Sequence, residues 1–302
     1  MLALAFRISA VLAAALFVIA VALCGYFALT SPIAFQKSVV IEFLDRSQYE
    51  QPKPRSYVDI RAVLEPIPYK GGMVYEVHPR QKYLRTLQEG YGNCSNLAFG
   101  LAYFLRDHNV AYQIVYILPP EDFLKGGGHM VVNMPFALDG AREYGIVDVL
   151  EGGLPKSDGK FVDLELLEKG SLTKPSILPM NSAKDDQSKY YGEFLDSSVI
   201  GTATSDEINA YFSFIEMIYV PLGRPRVEKM LYDSLAIVFG YYPTLYVAKE
   251  DAADLFAGHE STRFLAMVLL AAVRAFLALV VLLTAGKMLM TARNLLHKSA
   301  RR

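Results

Sequence analysis

The chain has 302 residues, with 30 Lys and Arg against 31 Asp and Glu and a formal net charge of -1. That balance lacks the basic excess or stripe of a nucleic-acid partner, so none is expected. Hydrophobic residues make up 53% of the chain, and the excess lies in two segments, one near each end.

The first is Ile8 to Leu29, which carries no charge. At about 1.5 Å per residue it crosses a hydrocarbon core of about 30 Å. Residues 1–30 therefore read as an N-terminal transmembrane anchor. A cleaved signal peptide has a shorter apolar core and a small-x-small cleavage site; this run is longer and shows no such site. Cys24 closes "VALC", but Leu23 stands where a lipoprotein signal carries a small residue. Cys24 is expected to face lipid or to pack.

Residues 31–79 read as an extended linker and the start of an extracytoplasmic domain. Within them Gln48 to Asp59 is the extended part, because Pro52 and Pro54 disfavour helix. Residues 80–150 carry the core signal. From Cys94, the apolar residues Leu97, Leu101, Phe104 and Leu105 recur at helical spacing. Ala111 to Leu118 is β-branched and aromatic, a strand ended by Pro119 and Pro120. His129 to Phe136 and Glu143 to Leu150 form two more strands, joined by a hairpin turn at Asp139-Gly140.

Residues 151–203 are polar and glycine-bearing and read as an irregular loop or lid. Residues 204–263 form a helical extension. Its first helix, from Thr204 to Val220, opens on a capping box of Thr204 and Glu207, and Pro225 to Phe239 is its second. Their many aromatic residues are expected to pack on the core rather than rest on a bilayer.

The second apolar segment, 264–286, is again long enough to span and has one charge, Arg274. A mid-span arginine is costly, and it either faces a membrane-protein partner or snorkels to the bilayer surface. Residues 287–302 form a basic tail, with Lys287, Arg293, Lys298, Arg301 and Arg302 and no acidic residue. The positive-inside rule puts that tail in the cytoplasm. Two spans then leave both termini cytoplasmic and the main domain in the periplasm or outside the cell, anchored in the inner (cytoplasmic) membrane.

Cys94, His129 and Asp148 are the candidate site. The thiolate is the nucleophilic form of cysteine, and helix N-termini favour it through unpaired N–H groups and the macrodipole. A neighbouring imidazole takes or holds the proton. If the hairpin turns at Asp139-Gly140, cross-strand partners sum to about 277 or 279, and either register puts His129 and Asp148 on one face as neighbours. Asp148 would then fix the imidazole tautomer. Each residue also has a plain reading: a small buried hydrophobe for Cys94, a loop residue for His129, a solvated strand end for Asp148. There is no H-E-x-x-H, no paired-cysteine spacing and no phosphate-binding glycine loop, so no metal ligands are assigned; an oxygen-ligand calcium site leaves only a weak trace in a sequence and stays open.

The stretches "GNCSNLAFGLAYFL" (Gly92 to Leu105), "GGHMVVNM" (Gly127 to Met134) and "YGIVDV" (Tyr144 to Val149) together resemble the transglutaminase-like superfamily, a branch of the papain-like thiol enzymes. The resemblance covers roughly residues 80–150. It implies an α+β fold with a papain/transglutaminase-like core, a helix packed on an antiparallel sheet, here flanked by two transmembrane helices. It makes Cys94 the nucleophile, His129 the general base and acid, and Asp148 its orienter. It implies action on protein or peptide amides through a thioester, with hydrolysis or acyl transfer to an amine, and no cofactor. Some members use an indole oxyanion donor; this chain has no tryptophan. Gln88, six residues before Cys94, is the candidate donor instead, together with the Cys94 backbone N–H, unless it is a plain surface glutamine. The alternative expectation is a non-catalytic accessory subunit of a cell-envelope complex, such as a polymer synthesis or export system, meeting its partner through Arg274.

Overall fold

The computed structural model describes residues 2–30, 32–45, 54, 56–170, 172–180, 190–251 and 255–299. They fall into two compact units: residues 40–257, and the flanking segments 1–39 with 258–302.

The flanking unit contains α1 (Leu2–Thr30), α2 (Pro32–Val40) and the last helix, Glu260–Ser299. Ile8–Leu29 and Glu260–Ala292 are long and apolar enough to cross a membrane. Ala20 and Phe27 bury against Ala266 and Leu269, and the rings of Phe17 and Phe276 lie 5.5 Å apart. Arg274 and Cys24 are exposed on this helix pair. The last helix does not stop at residue 286. It runs on through the expected tail to Ser299, because a lone Gly286 without proline does not break a helix of good formers. Arg301 and Arg302 lie outside the described residues.

In residues 40–257, the elements follow as β1 (Ile41–Leu44), β2 (Val58–Asp59), α3 (Ile60–Leu64), α4 (Pro79–Tyr83) with a π turn at Leu84–Gln88, and α5 (Cys94–Asp107). Then come β3 (Gln113–Leu118), α6 (Pro120–Phe123), β4 (His129–Leu138) and β5 (Ala141–Val147). They continue as β6 (Gly153–Ser157), β7 (Lys160–Phe161), α7 (Leu164–Glu168), β8 (Ser176–Pro179), α8 (Glu193–Asp196), β9 (Val199–Thr204), α9 (Ser205–Ile218), α10 (Pro225–Phe239) and β10 (Leu245–Ala248).

One mixed sheet organises this unit, in the order β1-β10-β9-β3-β4-β2 with β5 also paired to β4. Both faces are covered. Ile114, Val132 and Met134 bury with Leu97, Leu101 and Leu105 of α5 and with Ile208, Phe212 and Ile215 of α9. The alternate residues Val115, Ile117, Val131 and Ile146 bury with Leu164 and Leu167 of α7, with Leu195 of α8 and with Tyr191 just before it. Double burial explains why β3 reads as a continuous apolar run rather than an alternating one.

The β4–β5 hairpin has the two-residue turn that the sequence implies: Asp139 and Gly140 both have positive φ, +51° and +84°. Leu138 faces Ala141 and Val132 faces Val147, so every pair sums to 279. The helices at α9 and α10 also form where expected, the first on its Thr204–Glu207 capping box, but residues 204–263 are not a purely helical extension, because Leu245–Ala248 forms β10 and pairs with β1 and β9 in the main sheet.

Residues 151–203 are not an irregular loop. They supply a second, three-stranded sheet, β7-β6-β8, the helices α7 and α8, and β9, which lies inside the main sheet between β3 and β10. The elements are two to six residues long, too short for a periodicity to show, and four of the six residues of β9 ("VIGTAT") are Gly, Ala or Thr. Residues 181–189 of that stretch lie outside the described residues. Residues 31–79 likewise hold α2, β1, β2 and α3 rather than a plain linker. Positions 48–53 and 55 of the expected extended part lie outside the described residues, and Val58–Asp59 pairs in parallel with β4.

Candidate active site

Cys94 is the first residue of α5, and the chain is shaped to put it there. Asn93 caps the helix: its side chain accepts from the Asn96 N–H, and the Asn96 side chain accepts from the Asn93 N–H, a reciprocal capping box. A helix start leaves four N–H groups without intrahelical partners. The box satisfies two, so the Cys94 and Ser95 amides remain to meet negative charge beside the sulfur. Asn96 also holds the preceding chain, exchanging hydrogen bonds with the Val74 backbone at 3.1 and 2.9 Å. Gly92 turns the chain into this start at φ +141°, and a Cβ there would sit 2.7 Å from that of Asn96. Only glycine fits.

His129 opens β4 and Asp148 follows the last residue of β5, at the end of the hairpin away from its turn. Both are buried. His129 Nε2 donates to Asp148 Oδ2 at 2.6 Å; the acceptor-only carboxylate fixes the tautomer. The same oxygen accepts from the Tyr191 hydroxyl at 2.9 Å, and Oδ1 accepts from the Glu151 N–H at 3.0 Å. A backbone bridge between Asp148 and Gly153 locks the carboxylate's own residue to the second sheet. Gly128 precedes the histidine at φ +129°, where a Cβ would press to 2.9 Å on the Ile117 carbonyl.

The other imidazole nitrogen, Nδ1, is buried without a hydrogen bond of ordinary geometry. Cys94 is nonetheless near enough to the ring to favour its charged form; its half-buried thiol points toward the Gly128 carbonyl at 4.0 Å, a weak contact. The three residues singled out from the sequence are therefore brought together.

The electrostatics follow from the geometry. Burial works against a charged imidazole, but the Asp148 charge and hydrogen bond, aided by Cys94, outweigh it and raise the His129 pKa to about 9. Burial likewise opposes the Asp148 carboxylate, and the His129 charge with three hydrogen bonds outweighs it, so its pKa falls below the usual value. Burial first, then the Asp148 charge, pushes the Tyr191 and Tyr69 hydroxyls above their ordinary range. Both stay neutral.

Two aromatic residues at this site escaped the reading of the sequence. Tyr190 lies flat on the His129 ring, centroids 3.7 Å apart and planes 3° from parallel, and Tyr191 meets its edge while bonding Asp148. The available signal was the "YY" pair closing a polar stretch, and no fixed spacing links it to Cys94.

Gln88 is placed elsewhere. Exposed, it lines a cavity of about 600 Å³ with Tyr57, Asp59, Phe104 and His108. Phe104 and His108 belong to the far end of the helix that Cys94 begins. Cys94 does not line that cavity, nor a second one beside Leu167, Leu195 and Ser198, and no group of three or more His, Cys, Asp or Glu side chains converges among the described residues to hold a metal. The chain matches no family model, no curated protein and no solved structure.

Proposed function

We propose that this protein is a membrane-anchored thiol enzyme of transglutaminase-like kind, acting on protein or peptide amides outside the cytoplasm. The observation that carries this reading is the buried His129–Asp148 pair at 2.6 Å beside a cysteine that starts a helix. The mixed sheet with α5 packed on it is compatible with a papain-like core.

In this reading the Cys94 thiolate attacks the amide carbonyl carbon. The resulting oxyanion lies within reach of the Cys94 and Ser95 amides, which replace the Gln88 donor. His129 gives the Nδ1 proton to the leaving nitrogen as the C–N bond breaks, and a thioester remains. His129 then removes a proton from water or an amine, which attacks the thioester and restores the thiolate. Asp148 holds the ring in the tautomer that presents Nδ1 to sulfur throughout. The basic residues after position 286 support cytoplasmic termini, with residues 40–257 on the opposite side of the bilayer.

The test is to incubate detergent-extracted protein with glutamine-containing peptides and a tagged primary amine, following ammonia release, peptide cleavage and amine incorporation by mass spectrometry. The reading expects at least one product, lost in Cys94→Ala and in His129→Ala. Equal signals from wild type and Cys94→Ala would contradict it and leave the accessory-subunit reading.

A further inference from the structure

The site contains a contact that the triad mechanism leaves unused. Tyr190 is stacked on His129 nearly face to face, at 3.7 Å and 3°. Two neutral rings avoid that arrangement, because their like-charged π faces repel, and they slide apart or turn edge-on. A cationic ring reverses the preference, since a tyrosine face attracts positive charge. The stack therefore fits an imidazolium better than an imidazole.

The next residue acts on the other half of the pair. The Tyr191 hydroxyl donates to the same Asp148 oxygen that takes the His129 proton, and donation to a carboxylate favours its ionised form. Tyr191 is fully buried beside Leu195 of α8, so its hydroxyl is held in place. Tyr190 is half-buried and meets Phe194 edge-on at 5.4 Å, which steadies its own ring.

We propose that Tyr190 and Tyr191 form a positioning pair, in which the Tyr190 face holds His129 as imidazolium and the Tyr191 hydroxyl holds Asp148 as carboxylate. One dipeptide thereby sets the charge state of the group that faces the Cys94 sulfur. Among the described residues, the titratable groups facing His129 are Cys94 from α5, Asp148 after β5, and these two tyrosines; Tyr69 and the Glu151 backbone act on Asp148. The charge state is independent of any substrate, but its use in catalysis rests on the thiol-enzyme reading.

The experiment is a pH titration of the His129 ring carbon signal by NMR, on full-length protein carrying 13C-labelled histidine in detergent. The variants are Tyr190→Leu, Tyr190→Phe, Tyr190→Trp and Tyr191→Phe. Tyr190→Leu is expected to lower the midpoint by about half a unit to one unit, about a three- to tenfold lower ratio of imidazolium to imidazole at fixed pH. Tyr190→Phe keeps the face and stays near wild type, and Tyr190→Trp holds or raises the midpoint, a direction that misfolding does not produce. Tyr191→Phe raises the pH at which acid breaks the His129–Asp148 pair. Equal midpoints for the Leu and Phe variants, whether both unchanged or both lowered, would overturn the proposal, as would a lowered midpoint with Trp. If this order holds while Cys94 proves inert toward amides, the positioning pair stands and the enzyme reading fails; loss of the order in an active enzyme gives the converse.

Discussion

His129 and Asp148 stabilise each other's charge inside the fold, and that coupling has a definite sign. The His129 pKa is raised from 6.5 to about 9, so its contribution to stability is fully present below 6.5 and is lost as pH rises through about 9. The Asp148 pKa is depressed, so its contribution is present above 3.8 and is lost as pH falls through its lower folded value. Melting temperature measured against pH should therefore decline between 6.5 and about 9 in wild type. Asp148→Asn removes the partner charge and should flatten that decline; an unchanged slope would show that the pair is not ionised. The pair was legible in the sequence because strand alternation and a two-residue turn fix which side chains meet. Gln88 misled because distance along the chain does not say which way a helical residue faces. Thr86 and Leu87 of that turn pack against α5, where a Cβ on Gly100 would collide with the Thr86 hydroxyl. Gln88, two positions later, points to roughly the opposite side.

Among the elements, the start of α5 joins folding to chemistry. Its cap is a side-chain amide rather than a charge, so the helix dipole stays available to the sulfur. Asn93→Ala should cost about 1 kcal/mol of stability and slow Cys94 alkylation. Thr204→Ala removes the corresponding cap of α9, distant from the sulfur in sequence and element. It should cost about as much and leave the alkylation rate unchanged. Paired denaturation and labelling measurements separate the two; equal effects on labelling would mean that the Asn93 cap matters only for folding. The long, amphipathic or β-branched elements α5, β3, β4, β5, α9 and α10 could be read from periodicity, composition and local turn or capping signals. The segment 151–203 could not. Its second sheet is made of short strands interrupted by Pro155 and Pro179, and its partners are set by tertiary pairing that leaves no local pattern. Tyr190 and Tyr191 were hidden for the same reason, since they reach the site through α8 and not through any spacing to Cys94.

For the whole molecule, the two apolar helices predict retention in the membrane pellet after alkaline carbonate extraction, and partition into detergent. In a background lacking both native cysteines, Glu121→Cys should react in intact cells with a membrane-impermeant maleimide, while Lys287→Cys should react only after lysis. The reverse pattern would invert the proposed topology. The central claim, a thiolate–imidazolium pair in the folded protein, is tested most directly by alkylating full-length protein across pH and locating the adduct by mass spectrometry. In wild type, Cys94 should carry the adduct at neutral pH, and His129→Ala should slow its formation at least roughly tenfold. Labelling of Cys94 at a rate unchanged by His129→Ala would contradict the account.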